Sequence, residues 1–266
     1  MIKAKKKRFK AVFFFALFFK KLVISLIKIK TMKNIYLILP IVIIGLSLGS
    51  CKKKGCTDAS ASNYNSIAKK DDGSCLYKPY ITLNGAPTVT INVGATYTDA
   101  GATAVNKDGS AVTVTTTNQV DVTTVGTYFV NYSATNANGT TTAKRTVNVI
   151  ISADNWTSPT WVVSSTCGAT AFPLATDPTI ITGATANAID IDNFFNLVGG
   201  TASGTINGAS VSIPLQTINI TLGDINFSGT GTMNSTGTQI QITYNYDNTT
   251  PLIGGQGTCM AIYDKQ

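Results

Sequence analysis

From residue 79 to the C-terminus the chain consists of short runs of β-branched and aromatic residues separated by turn residues. In residues 79–152 these runs are YITLNG, TVTINVG, AVTVTT, GTYFVNYSATN and TTAKRTVNVI. Tyr128, Val130 and Tyr132 fall on one face of their strand because strand side chains alternate, and the sequence NANG predicts a hairpin turn before the last run. Such a region favours an all-β sandwich of short strands.

Residues 153–266 repeat this pattern in a second unit. Ile240, Ile242, Tyr244 and Tyr246 alternate along one predicted strand, and we find no helix of convincing period. A turn is predicted at Asn207-Gly208. The predicted strands are TWVVSSTC, AIDIDNFFNL, ASGTI, ASVSIPLQTINITL, DINFSGTGTM, TQIQITYNYD and TCMAIYD. We therefore predict a second antiparallel β-domain, a sandwich or a barrel-like sheet.

The first of these units resembles the bacterial Ig-like repeat of cell-surface proteins. Asn106 and Asn136 depart from that pattern by replacing acidic residues, which argues against a calcium site there. The resemblance implies an Ig-like β-sandwich that acts as a spacer, with its tyrosines in the core. The matching residues are Gly94, Tyr97, Asp99, Gly101, Ala102, Gly109, Val125, Gly126, Thr127, Tyr128, Val130, Tyr132, Gly139, Arg145, Val147 and Val149.

The layout of residues 153–266 is similar to the C-terminal β-domain that follows Ig-like repeats in some Gram-negative (Bacteroidetes-type) outer-membrane lipoproteins. The similar elements include DNW, ASG, GASVSIP and GTGT. This resemblance implies no established activity.

Residues 1–50 are predicted to be a targeting segment. Residues 35–50 are mostly apolar but shorter than the about twenty residues of a membrane span. The sequence LGSC, which ends at Cys51, resembles the lipobox of bacterial lipoproteins, in which the cysteine is lipidated and becomes the N-terminus. The alternative is a retained helix with an incidental cysteine. The lipoprotein signal reads naturally from Met32, so we expect Met32 to be the true start.

The basic charge of the chain belongs to this segment. Eleven of the 21 basic residues and no acidic residue lie in residues 1–50, so ten basic and thirteen acidic residues follow, a net charge of −3. The basic balance therefore does not indicate a nucleic-acid partner. Histidine is absent, which excludes Ser/His/Asp triads, Cys/His dyads and histidine-ligated metal sites.

Five cysteines occur, and lipidation of Cys51 leaves four for disulfides. Residues 55–77 resemble the short repeat GCTD…DDGSC of secreted and surface proteins of Gram-negative bacteria. A segment this short cannot build a hydrophobic core and needs a covalent cross-link. We therefore expect Cys56 to form a disulfide with Cys75 within a linker of residues 51–78. Cys167 and Cys259 would then tie the first strand of the last domain to its last strand.

Oxygen ligands in the linker are a weak candidate calcium site, comprising Asp58, Asn63, Asp71 and Asp72, with Asn65 nearby. They lack the spacing of an EF-hand, and the chain has no glutamate. A purely structural linker without a cofactor is the favoured interpretation.

Two pairs of side chains are candidate ligand-binding or catalytic groups. Asp190 and Asp192 share a strand face and could act as the pair of catalytic carboxylates that glycosidases use. Alternating acidic residues, however, usually form the solvent-exposed face of a half-buried strand. Trp156 and Trp161 could stack on a sugar, although tryptophans are more often core residues.

Together these observations predict a lipid-anchored protein of the outer membrane, on its cell-surface or periplasmic side. The function they favour is non-catalytic: adhesion or polysaccharide capture, with a glycan or a surface protein as partner. Two alternatives stay open. One is a purely architectural envelope protein, and the other is a glycoside hydrolase that uses Asp190 and Asp192.

Overall fold

The computed structural model describes residues 52–157, 160–167, 174–196 and 200–266. These residues fall into two compact units, of which the smaller comprises residues 52–59 and Asn63–Cys75 and the larger Ser60–Ser62 and Leu76–Gln266. In the described residues no helix has the length and the hydropathy that a membrane span requires.

The small unit is held by a disulfide and a few backbone hydrogen bonds. Cys56 and Cys75 form the predicted disulfide, which is therefore confirmed. The N–H of Gly55 donates to the carbonyl of Lys70, and the N–H of Asn65 donates to the carbonyl of Cys56. With few buried side chains in so short a segment, the covalent link supplies what a hydrophobic core supplies elsewhere.

The Ig-like part of the large unit consists of seven strands in two sheets. Strands β1, β3 and β4 form one sheet in the order β1-β3-β4, and the other has the order β2-β7-β6-β5. All pairs are antiparallel except β2 with β7. The strands are β1 (Tyr80–Leu83), β2 (Thr88–Asn92), β3 (Ala102–Val105), β4 (Ala111–Val112), β5 (Val114–Asn118), β6 (Gly126–Asn136) and β7 (Gly139–Ile150).

Alternation along β6 and β7 builds the core between these two sheets. Val130, Tyr132 and Val147 are buried and form one cluster, whereas Asn131 and Lys144 on the opposite face are exposed. The predicted sharing of one face by Tyr128, Val130 and Tyr132 is confirmed by this burial pattern.

In the described residues, the C-terminal part forms an eight-stranded antiparallel sheet preceded by a short helix. The helix α1 (Ala153–Thr157) begins right after β7. The strand order is β8-β15-β14-β13-β12-β11-β10-β9, so the first strand pairs with the last. The strands are β8 (Trp161–Ser165), β9 (Ile180–Thr182), β10 (Ala188–Asp192), β11 (Thr201–Asn207), β12 (Ser210–Ile220), β13 (Gly223–Met233), β14 (Gln239–Asn248) and β15 (Gly255–Lys265).

Tight turns set the register of this sheet. Asn207 pairs with Ser210, so the two-residue loop is Gly208-Ala209, one position later than predicted. Gly208 has a φ of 58°, which glycine adopts without steric cost and which suits the first central position of a hairpin turn.

One hydrophobic cluster runs through the C-terminal sheet and into the Ig-like part. It contains the inward side chains of β8 to β15 together with Val93, Val149 and Ile151. The amide of Asn155 donates to the carbonyl of Val93 over 3.0 Å. Cys167 and Cys259 form the second predicted disulfide, which is also confirmed. The all-β class predicted from the sequence is confirmed throughout the described residues.

Candidate functional site

Both candidate tryptophans are interior residues. Trp156 is 0% exposed and its indole N–H donates to the carbonyl of Gly208, while Trp161 is 2% exposed and donates to the carbonyl of Trp156. Buried indole N–H groups need such partners. Neither ring has a free face for a sugar, so these residues leave the set of candidate binding groups and act in the core instead.

Asp190 and Asp192 lie on the outward face of β10, where Ile189 and Ile191 point into the core. The hydroxyl of Thr201 donates to Asp192 over 3.3 Å. Both aspartates are part of the ordinary polar face of a half-buried strand.

Three of the candidate calcium ligands of the small unit, Asn63, Asp71 and Asp72, form hydrogen bonds with backbone groups of residues 73 and 74. One carboxylate oxygen of Asp71 accepts the N–H of Gly73, and one of Asp72 accepts the N–H of Ser74. The amide of Asn63 donates to the carbonyl of Ser74 over 2.6 Å. In the part of the chain that the structure describes, no three acidic or cysteine side chains are grouped to hold a metal ion.

An ion pair lies inside the Ig-like part. The guanidinium of Arg145, which is 1% exposed, contacts Asp99 at 2.6 Å. The hydroxyls of Tyr97 and Tyr132 donate to the same carboxylate over 2.9 and 2.7 Å, and so does the N–H of Gly101 over 2.9 Å. Arg145 also donates to backbone carbonyls, those of Asn84 and Gly101. We call Tyr97, Asp99, Tyr132 and Arg145 the Asp99 network.

Titration of the Asp99 network follows from these contacts. Burial alone would raise the pKa of Asp99, but the hydrogen bonds from Tyr132, Tyr97 and Gly101 and the charge of Arg145 bring this pKa below its usual value. Burial and the neighbouring carboxylate raise the pKa of Tyr132 to about 12. The carboxylate is therefore ionised and fully engaged, and the network holds sheets together instead of binding a ligand.

An exposed apolar tip stands at one end of the C-terminal sheet. Leu222 in the turn between β12 and β13 is 73% exposed, and Leu252 and Ile253 in the loop between β14 and β15 are fully exposed and 56% exposed. The two loops are neighbours, since the N–H of Thr249 donates to the carbonyl of Asp224 over 2.9 Å. We call Leu222, Leu252 and Ile253 the aliphatic tip.

Buried polar groups fix the longer loop in shape. Asn248 and Thr250 are buried, and the carbonyl oxygen of the Asn248 side chain accepts the N–H and the hydroxyl of Thr250 over 3.0 and 2.6 Å. A Cβ at Gly254 would overlap the backbone oxygen of Asn248, so only glycine fits there. Leu252 has a φ of 74°, which costs a leucine about 1 to 2 kcal/mol.

The geometry of the aliphatic tip suits contact with another surface. Single exposed apolar residues are common, but a contiguous exposed apolar patch marks an interaction site more often. Because the loop is already ordered, the loop itself loses little conformational entropy when it binds a partner. In the sequence TTPLIGG, large aliphatic residues stand between turn residues, a pattern that indicates a loop with exposed apolar side chains. The strand predictions did not use this pattern.

The proposed lipidation residue, Cys51, lies outside the described residues. The predicted signal segment of residues 1–50 also lies outside them.

Comparison with known proteins bears mainly on the Ig-like part. The model of the family described as "Bacterial surface protein, Ig-like domain" matches residues 81–149, which contain β2 to β6 and most of β1 and β7. The match confirms the predicted Ig-like domain and supports a protein of the bacterial cell envelope.

A solved structure with a detectable similarity is that of the lipoprotein BT2262 from Bacteroides thetaiotaomicron. The sequences are 17% identical over 70% of this chain and 99% of that chain, with a TM-score of 0.27. A TM-score this low does not indicate a shared fold. No curated protein matches the chain significantly.

Proposed function

We propose that this chain is a lipid-anchored outer-membrane protein that binds a partner surface without catalysis and contributes to adhesion. The observation that carries the proposal is the aliphatic tip, three exposed apolar side chains on two adjacent, internally braced loops. The Ig-like domain of a type found in bacterial surface proteins supports the location. In this arrangement the lipid on Cys51 holds the chain at the membrane, and the tip makes the contact.

The size of the tip favours adhesion over tight monovalent binding. Full burial of a leucine or isoleucine side chain contributes about 1.5 to 3 kcal/mol, so three contribute about 5 to 9 kcal/mol. Association itself costs about 4 to 15 kcal/mol in lost translational and rotational entropy. One tip therefore binds weakly, and many membrane-anchored copies acting together give firm attachment through avidity.

Polar replacement of the tip tests this function. We expect intact cells that produce the full chain with Leu252→Asn and Ile253→Ser to adhere to an apolar surface, polystyrene, and to one another several-fold less than wild-type cells. Asparagine tolerates the left-handed backbone of position 252, so the loop keeps its shape. Cell counts after washing and a co-aggregation assay give the measurement.

Leu215 offers a matched control because it is 75% exposed but lies within β12, away from the two loops. Leu215→Ser should leave adherence unchanged while the tip variants lower it. If all variants adhere as the wild type does, the architectural role replaces adhesion. Asp190→Asn with Asp192→Asn should also change nothing, because the proposal assigns them no chemistry.

The anchor is tested by a separate prediction. We expect Cys51→Ala to abolish incorporation of a labelled fatty acid into the protein, because the acyl chains attach through that thiol. Proteinase applied to intact wild-type cells, followed by an antibody against residues 153–266, should remove the signal. A wild-type protein that takes up no labelled fatty acid and keeps residues 35–50 would argue for an uncleaved helix, and protection from proteinase would place the domains in the periplasm.

A further inference from the structure

The four-stranded sheet of the Ig-like domain has a second candidate binding surface, on the face that points away from its core. Threonine dominates this face, and none of the side chains there is acidic. We call it the threonine face; it comprises Thr88, Thr90, Asn92, Thr115, Thr117, Thr127, Phe129, Asn131, Ser133, Thr135, Thr140, Thr142, Lys144, Thr146, Asn148 and Ile150.

The strand register arranges the centre of the threonine face in rows. Ser133 on β6 lies opposite Thr115 on β5 and Thr142 on β7. The next row places Asn131 between Thr117 and Lys144. Because neighbouring strands are about 4.8 Å apart, each row offers polar groups at a regular spacing across the sheet. These six residues line a shallow depression of about 450 Å³.

The hydroxyl groups in the depression are not engaged by other side chains of the described residues, and the same holds for Thr88, Thr90 and Thr146 beside it. Toward the ends of the strands the hydroxyl of Thr127 donates to Asn148 over 3.0 Å, and Thr135 and Thr140 share a hydrogen bond of 2.9 Å. Among the described residues, no side-chain hydrogen bond engages the hydroxyls of Thr115, Thr117, Ser133 and Thr142. Each hydroxyl can both donate and accept, which matches the hydroxyl groups of a sugar.

Lys144 gives the threonine face its charge. Its ammonium lies 4.5 Å from the ring centroid of Phe129, a cation–π contact that holds the charge against the sheet. Lys144 is the one charged residue among the face positions of the four strands. The chain from Cys51 onward is net negative, whereas the centre of this face carries the single positive charge of Lys144, which can pair with an anionic group.

We propose that the threonine face binds an acidic polysaccharide, one whose sugar units carry carboxylates. The hydroxyls bind sugar hydroxyls together with the side-chain oxygen of Asn131, whose side-chain nitrogen donates to Gln119 over 3.5 Å. Lys144 pairs with a uronate carboxylate. The open, shallow depression on the threonine face suits an extended polymer that lies across the strands. The proposal does not depend on the aliphatic tip, which belongs to the other part of the unit.

Affinity electrophoresis of the full chain in non-ionic detergent tests the proposal. Gels contain sodium polygalacturonate as the acidic probe or dextran as the neutral one. We expect retardation by polygalacturonate and little by dextran. Thr115→Val, Thr117→Val and Thr142→Val in one chain should lower the apparent affinity at least tenfold, since valine keeps the shape and strand preference but removes the hydroxyl. Lys144→Gln should weaken binding and remove most of its salt dependence.

Thr230→Val with Thr243→Val is the matched control, because these exposed threonines face each other on β13 and β14 of the C-terminal sheet. The control should bind polygalacturonate as the wild type does. Three results would overturn the proposal: no retardation of the wild type, equal retardation by dextran, or a loss in the control as large as that in the triple variant.

Discussion

Replacing Asp99 by alanine is expected to lower the free energy of unfolding of the Ig-like domain by about 3 to 5 kcal/mol, the usual cost of breaking a buried ion pair. The guanidinium of Arg145 would remain buried without its carboxylate partner. The hydroxyls of Tyr97 and Tyr132 would lose the same acceptor. Urea unfolding of the full chain, followed by circular dichroism, measures the change.

Two further variants identify the cause of this loss. Arg145→Met combined with Asp99→Ala should recover part of the stability, because no uncompensated charge is left. Asp121→Ala removes an exposed carboxylate that caps a turn at Thr123, and it should cost at most about 1 kcal/mol. A loss for Asp99→Ala as small as that for Asp121→Ala would show that the Asp99 network contributes little.

The Asp99 network also predicts an acid dependence. The pKa of Asp99 is lower in the folded chain than in the unfolded chain, where it is about 3.9. Its contribution is therefore fully present above the unfolded pKa and is lost as the pH falls through the folded pKa. Asp99→Asn should remove this part of the acid dependence, since asparagine has no carboxylate to protonate.

Removing the disulfide between Cys167 and Cys259 is expected to lower the free energy of unfolding by an amount similar to that for Asp99→Ala. Cys167 and Cys259 close a loop of 92 positions, for which the loop-entropy model gives a stabilisation of up to about 4 to 5 kcal/mol. Cys167→Ser with Cys259→Ser should lower the stability of the C-terminal sheet by that amount. Thermal unfolding of the full chain with and without dithiothreitol measures it, and the double variant should no longer respond to the reductant through this bond.

The other disulfide provides the comparison for this effect. Cys56 and Cys75 are 19 positions apart, so the same model gives about 3 kcal/mol for the small unit. The hydrogen bonds between β8 and β15, and the one from the N–H of Thr166 just after β8 to the carbonyl of Met260, remain in the Cys167 and Cys259 variant. Unfolding midpoints that do not change in this variant would mean that strand pairing alone ties β8 to the sheet.

Much of the local structure could be predicted from the sequence. The period of two in GTYFVNYSATN and TQIQITYNYD predicted the strands and their buried faces, because alternation follows directly from strand geometry. Strands β3 and β9 were not predicted. The sequence ATAV contains two alanines, which strands do not favour, and IIT is three residues long, so neither pattern is distinctive.

The candidate sites were less predictable. Trp156 and Trp161 were candidates for sugar stacking until the structure placed both in the core. Tyr97, Asp99, Tyr132 and Arg145 were recognised one by one as matching residues, but nothing in the sequence indicated that they form one network. Asp99 and Arg145 are 46 positions apart, and pairing over such a distance depends on how strands are ordered.

The sequence by itself determined the all-β class, the buried side of the long strands and the pairing of the four cysteines that remain after Cys51. Each of these follows from local periodicity or from a small number of possibilities. Only the tertiary structure decided the parallel pairing of β2 with β7, the rows of the threonine face and the meeting of two loops at the aliphatic tip. The physical reason is that side-chain patterns specify the conformation and burial of a segment, whereas the neighbour of each strand is selected by the packing of the whole core.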